Sequence, residues 1–143
     1  MGYDEGHRVM SMRRVHLAVG GLAVMAFLIT GQFLRHHSPP MTELGDSVRL
    51  LYRSRHIYIL AAGLVNLMLG LYGQRHASGW RRVMQAAGSA MLVASPALLM
   101  VAFATEPERG FREQMWWSAA GLYLLFGGSM AHLACGGAIK AGR

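Results

Sequence analysis

The sequence predicts an all-α integral membrane protein in which four transmembrane helices form an antiparallel bundle. Hydrophobic residues make up 53% of the 143 residues and charged residues only 15%, whereas a soluble domain carries about 25% charged residues. Cutting the chain at its charged residues leaves four apolar runs, each close to the ~20 residues that a helix needs to cross the hydrocarbon core. None of the runs alternates polar and apolar residues, as the strands of a membrane barrel do.

The four spans belong to a single membrane domain that covers residues 1–143. Their predicted ranges are 15–34, 56–74, 83–105 and 114–137. The first run follows Arg13 and Arg14, as a signal peptide would. It is longer than a typical signal-peptide core and lacks a small-x-small cleavage site, so we expect a retained helix.

The connections between the spans predict the order of packing. The short link between spans two and three makes these helices antiparallel neighbours. The 36–55 connection is longer and is predicted to be an outer-surface loop, whose latter part could form a short amphipathic helix on the membrane. Pro96 lies inside the third span, where proline kinks a helix and frees a carbonyl near its middle. Asn66, near the middle of the second span, is expected to reach across to another helix.

The distribution of charge predicts orientation and location. Four spans place both termini on one side, which carries eight of the 14 basic residues, while the other side carries six together with most of the acids. Because basic residues favour the cytoplasmic side, we expect a multi-pass membrane protein with both termini in the cytoplasm. The net charge of +7 lies at helix ends, which argues for the lipid bilayer as a partner and against nucleic acid.

Six of the seven histidines fall at two depths in the predicted bundle. Those near the terminal side are His16, His76 and His132, and those near the opposite side are His36, His37 and His56. Ionisable residues inside a span are costly and suggest a function. The structural alternative is that they are ordinary polar anchors at the membrane interface, an alternative that is strongest for His36, His37 and His76.

The terminal-side histidines predict a haem b site. His16 and His132 are the preferred pair of iron ligands, and His76 could replace His16. Small residues lie one helical turn from these two histidines, where a porphyrin could rest against the backbone; they are Gly20, Gly128 and Gly136.

The outer histidines predict a less defined site. His56 opens the second span beside Arg53 and Arg55, and His36 or His37 closes the first span. These two spans are antiparallel neighbours, so the histidines can meet. A second haem, with His56 as a metal ligand and the arginines on its propionates, is one interpretation. An anionic or quinone-like substrate is the other.

Three short segments resemble the small bacterial four-helix b-type cytochromes of the membrane, the cytochrome b561-like group that includes superoxide oxidase. They are RRVH at 13–16, RHIYIL at 55–60 and MAHLA at 130–134. The resemblance implies a place in the bacterial inner membrane, haem ligation by these histidines and electron transfer between a quinone pool and another carrier. That family also carries a haem-ligating histidine in its third span, whereas RRVMQ at 81–85 opens a span without one. At most one haem site therefore transfers cleanly, and a second would need His36 or His37 in place of the missing ligand.

Two other functions compete with an electron carrier. Eleven methionines, and the closeness of Met130, His132 and Cys135 on one helix, suit the handling of copper or another soft metal. A non-catalytic membrane subunit or small-ligand binder, alone, as a homo-oligomer or with a partner subunit, is the third interpretation. The sequence shows no nucleophile triad, phosphate loop or carboxylate pair, so an enzymatic role would be that of a membrane oxidoreductase.

Overall fold

The fold is a bundle of four long helices, as the sequence predicts. A computed structural model describes residues 3–73, 79–109 and 115–137. The helices are α1 (Tyr3–His36), α2 (Asp46–Tyr72), α3 (Gly79–Thr105) and α4 (Trp116–Gly137), with a short 3-10 turn at Pro107–Arg109. Each of the four contains a segment that is long and apolar enough to cross a membrane. The prediction of a multi-pass membrane bundle is therefore confirmed.

The bundle consists of two helical hairpins. α1 packs along α2, α3 packs along α4, and contacts between α2 and α3 join the two hairpins. Large apolar side chains cover the outer surface; examples are Leu22, Ile29, Tyr123 and Phe126, all more than 60% exposed. Such an exterior would be unfavourable in water and is compatible with a lipid bilayer.

Glycines bring the paired helices into close contact. A Cβ atom added at Gly20 of α1 would lie 2.8 Å from the backbone nitrogen of Leu67 and 2.9 Å from the carbonyl oxygen of Gly63. The second hairpin repeats this arrangement, because a Cβ atom at Gly128 of α4 would lie 2.7 Å from the carbonyl oxygen of Gly88. Close backbone approach supplies the packing that apolar side chains cannot supply in lipid.

Alanine at adjacent glycines of α1 should have opposite effects. Gly20→Ala is expected to lower the free energy of unfolding by about 1–3 kcal/mol because it overpacks the α1–α2 contact. Gly21→Ala is the matched control, since no atom lies within 4 Å of its added Cβ, and the better helix propensity of alanine should stabilise the protein by up to ~1 kcal/mol. Unfolding by SDS in mixed micelles measures both values, and equal effects would contradict the packing.

The structure differs from the prediction at the connection between α1 and α2. The predicted loop covered residues 36–55, but α2 already begins at Asp46. Leu51, Tyr52 and Arg55 are buried and continue the inward-facing stripe of Ile59. This stripe keeps the segment in line with the rest of α2, so residues 46–55 form the start of α2 and not a separate surface helix.

Candidate functional site

The structure brings His16 and His132 together from opposite ends of the chain. The centroids of the two imidazole rings are 6.4 Å apart and the ring planes make an angle of 80°. His16 lies on α1 and is only 4% exposed, while His132 lies on α4 and is half-buried. Both side chains thus face each other inside the bundle, at the end where α1 and α4 carry the chain termini.

His16 is held on one side only. Its Nδ1 lies 2.7 Å from the side-chain oxygen of Asn66 on α2. The amide nitrogen of Asn66 donates to the carbonyl oxygens of Ala62, at 2.9 Å, and Leu92, at 2.8 Å. The other ring nitrogen, Nε2, is buried and has no hydrogen-bond partner among the described residues. Unpaired buried polar atoms are rare in proteins and call for an explanation.

His132 makes a polar contact with α3. Its Nε2 lies 3.1 Å from the hydroxyl oxygen of Ser89 on α3. Ser89 itself is buried. Helices α1, α2, α3 and α4 therefore all contribute to one polar group of His16, Asn66, Ser89 and His132, which we call the paired-histidine site.

Two adjoining cavities border the paired-histidine site. The smaller has a volume of about 110 Å³ and is lined by His16, Ser89 and His132, among others. The larger has a volume of about 460 Å³ and extends from His132 along apolar side chains of α2 and α4 to Gly136. The larger volume lies within the ~300–1,000 Å³ that small-molecule and cofactor sites occupy.

The glycines predicted to accommodate a porphyrin have different surroundings. Gly20 and Gly128 are closed by packing against α2 and α3, as described above. Gly136 alone of the three has no atom within 4 Å of an added Cβ, and it lines the larger cavity. Spacing along a helix could not distinguish a glycine at a helix contact from a glycine beside an open cleft.

The outer histidines have separate partners. His56 stacks on Phe27 with ring centroids 4.0 Å apart, and its Nδ1 lies 2.9 Å from the hydroxyl oxygen of Thr30. His37 contacts the rings of Phe33 and Tyr52, and its Nδ1 lies 2.8 Å from the carbonyl oxygen of Pro39. His36 is exposed. The predicted outer site is thus spread over distinct packing environments, and His76 lies outside the described residues.

The residues proposed for copper do not share a site. Met130 is 63% exposed on the outer surface of α4, whereas Cys135 is 1% exposed and its Sγ lies 3.5 Å from the carbonyl oxygen of Arg81. Within residues 3–73, 79–109 and 115–137, no group of three or more His, Cys, Asp or Glu side chains is arranged to hold a metal ion.

A buried ion pair occupies the opposite end of the bundle. Arg55 of α2 is 2% exposed and Glu106, just after α3, is 3% exposed. Arg55 Nε donates to Glu106 Oε2 at 2.8 Å, and Nη2 lies 2.7 Å from the same oxygen. Arg53, by contrast, is exposed. The guanidinium of Arg55, which we predicted to bind a haem propionate, is therefore paired with Glu106.

Glu106 also binds the first turn of α4. Its Oε1 accepts a hydrogen bond of 3.0 Å from the backbone N–H of Ser118, and its Oε2 accepts one from the Ser118 hydroxyl. A carboxylate at a helix N-terminus is favourable because it satisfies a free N–H and complements the helix dipole. The sequence-based interpretation gave Arg55 to a haem propionate and did not predict this pair; the available signal was an acid directly at the end of an apolar run.

Burial by itself raises the pKa of the Glu106 carboxyl, but the hydrogen bonds from Ser118 and the ion pair with Arg55 outweigh burial and bring the pKa below its ordinary value of 4.5. Since the folded state holds the proton less tightly than the unfolded state, Glu106 stabilises the fold fully above about pH 4.5. That stabilisation is lost as the pH falls further, through the pKa of the folded state.

The pH dependence of stability should therefore change in Glu106→Gln. Thermal unfolding of the detergent-solubilised protein from pH 7 to pH 3 is expected to show a loss of stability below about pH 4.5 in the unmodified chain. The difference in stability between this chain and the variant should shrink over the same range, because protonated glutamate resembles glutamine. A difference that stays constant down to pH 3 would contradict the assignment.

Comparison with known proteins identifies no relative of this chain. No protein-family model matches the chain, and no curated protein or solved structure matches it.

Proposed function

We propose that the chain is a membrane electron carrier that binds one haem b, with His16 and His132 as the two iron ligands. The observation that carries the proposal is the buried, unpaired Nε2 of His16 on a ring whose centroid is 6.4 Å from that of His132. Bonds from a metal to imidazole nitrogen are about 2.0–2.1 Å long, so two imidazoles at this separation could both bind one metal ion.

Other features of the site are consistent with haem. Histidines that bind a metal through one ring nitrogen usually donate a hydrogen bond from the other, and His16 Nδ1 makes such a contact with the Asn66 oxygen. The smaller cavity is lined by both histidines, and the larger one continues from His132 to the open backbone at Gly136, so the two together would give a macrocycle space. Binding of a metal by His132 Nε2 would replace its contact with the Ser89 hydroxyl. Gly20 and Gly128, in contrast, do not contribute such space. Bound haem would supply one-electron transfer, and two imidazole ligands favour that over binding of oxygen.

The wider setting of the proposal comes from the sequence. We place the protein in the bacterial inner membrane, as the resemblance implies, and both termini in the cytoplasm, because the terminal side carries more basic residues. A carrier in that membrane would exchange electrons with a quinone or another membrane redox partner. The apolar exterior supports the membrane location.

The absorption spectrum tests the proposal. The protein purified in detergent is titrated with haemin, and spectra are recorded in the oxidised and reduced states. We expect one equivalent to bind and to give the spectrum of six-coordinate, low-spin iron. A protein that is helical by circular dichroism but leaves added haemin unbound would overturn the proposal. Copper analysis of the same preparation tests the soft-metal alternative, which predicts bound copper without haem.

A further inference from the structure

We infer that Asn66, anchored by a carbonyl that Pro96 leaves free in α3, fixes His16 in the tautomer that carries its proton on Nδ1. The buried Nε2 then offers a lone pair and no hydrogen. The paired-histidine site therefore takes an electron-pair acceptor, namely a metal ion or an O–H or N–H donor, and rejects a ligand group that can only accept hydrogen bonds. The His16 tautomer follows from these contacts alone; only the identification of the bound acceptor as haem iron rests on the proposed function.

The first step is the free carbonyl in α3. In a regular helix the carbonyl of Leu92 would accept a hydrogen bond from the backbone nitrogen of residue 96. That residue is Pro96, inside α3, and proline has no N–H to donate. The Asn66 amide nitrogen on α2 lies 2.8 Å from the Leu92 oxygen and supplies the missing bond.

The second step is the orientation of the Asn66 amide. Its nitrogen has two hydrogens, and the second is donated to the carbonyl oxygen of Ala62 at 2.9 Å. Turning the amide around would place its oxygen against two carbonyl oxygens, all of them acceptors. The Asn66 oxygen therefore has to face His16, where Nδ1 lies at 2.7 Å.

The third step fixes the imidazole proton. An amide oxygen only accepts hydrogen bonds, so His16 Nδ1 must carry the hydrogen. A neutral imidazole has one N–H, which leaves Nε2 as a lone pair. A hydrogen on Nε2 would be a buried donor without an acceptor among the described residues, which is costly.

Nitrogen NMR tests the tautomer without any bound ligand. The protein is labelled with ¹⁵N-histidine, prepared in detergent without added haem or metal, and the His16 signals are assigned by their loss in His16→Gln. We expect a protonated Nδ1 and an unprotonated Nε2. Asn66→Ala should abolish this single-tautomer pattern, because it removes the acceptor at Nδ1.

Ser95→Ala is the matched control. Ser95 is also buried, and its hydroxyl donates across the bundle to the carbonyl oxygen of Gly121 at 2.8 Å. Its loss removes a comparable interhelical bond that does not involve Asn66 or His16, so the His16 pattern should not change. A protonated Nε2 in the unmodified protein, or an unchanged pattern in Asn66→Ala, would overturn the inference.

The NMR experiment and the haemin titration distinguish a failure of the tautomer inference from a failure of the haem proposal. The tautomer in the unmodified protein decides the inference even when Asn66→Ala does not fold. If the tautomer is the expected one and haemin stays unbound, the haem proposal fails while the inference about Asn66 stands. If haemin binds and the free protein carries its proton on Nε2, the reverse holds.

Discussion

Replacing Arg55 with methionine is expected to lower the free energy of unfolding by about 3–5 kcal/mol, because the change leaves the Glu106 carboxylate buried without its cation. Both side chains are at most 3% exposed, so neither water nor lipid headgroups can replace the lost partner. The carboxylate would still bind Ser118, but it would no longer connect α2 to the start of α4. Unfolding by SDS in mixed micelles measures the loss.

Arg53→Met is the control for this experiment. Arg53 lies two positions earlier on the same helix and is exposed, so its loss should change stability by less than about 1 kcal/mol. The double variant Arg55→Met/Glu106→Gln should regain much of the stability of the unmodified protein, since glutamine carries no charge that needs a partner and its amide oxygen can still accept from the Ser118 N–H. Equal stability of Arg53→Met and Arg55→Met would show that the pair contributes nothing.

His16→Ala and His132→Ala are each expected to reduce haem affinity roughly 100-fold or more, because changes in the second shell of a metal site already cost about 10–100-fold. Titration with haemin measures the affinity. Any haem that still binds to either variant should lose the spectrum of six-coordinate iron, since one of the two proposed histidine ligands is missing. Both effects follow from the facing arrangement of the two rings.

His56→Ala separates ligand loss from general damage. His56 is also half-buried in the bundle and is tethered to a neighbouring helix through Thr30, so its removal disturbs packing to a similar degree. We expect haem affinity to stay within a factor of three, a change of about 0.7 kcal/mol. Loss of binding in His56→Ala together with retention in His132→Ala would move the site to the other end of the bundle.

The sequence was sufficient for those features that depend on composition along one helix. Four apolar runs predicted the four helices, and a proline and an asparagine inside spans correctly indicated a free carbonyl and an interhelical contact. Both are now seen in the bond from Asn66 to Leu92. The meeting of His16 and His132 was also predictable, because membrane thickness fixes the depth of each residue in its span.

Features that depend on the rotation of one helix against another were not predictable. Gly128 and Gly136 are two turns apart on the same helix, yet one touches α3 and the other borders a cavity. Arg55 and Arg53 look equivalent in a basic cluster, and only packing decides which one turns inward. The early start of α2 was missed because a charged, amphipathic first turn resembles a surface segment when its partner helices are unknown.

The division into two hairpins has a consequence for how the protein is made. Until the second hairpin packs against the first, the guanidinium of Arg55 and the amide of Asn66 lack the partners that α3 and the start of α4 bring. Exposed polar groups in lipid favour association with any helix that can accept their hydrogen bonds. A chain that ended after α2 would therefore keep these polar groups available for a foreign helix, whereas the full bundle satisfies them internally.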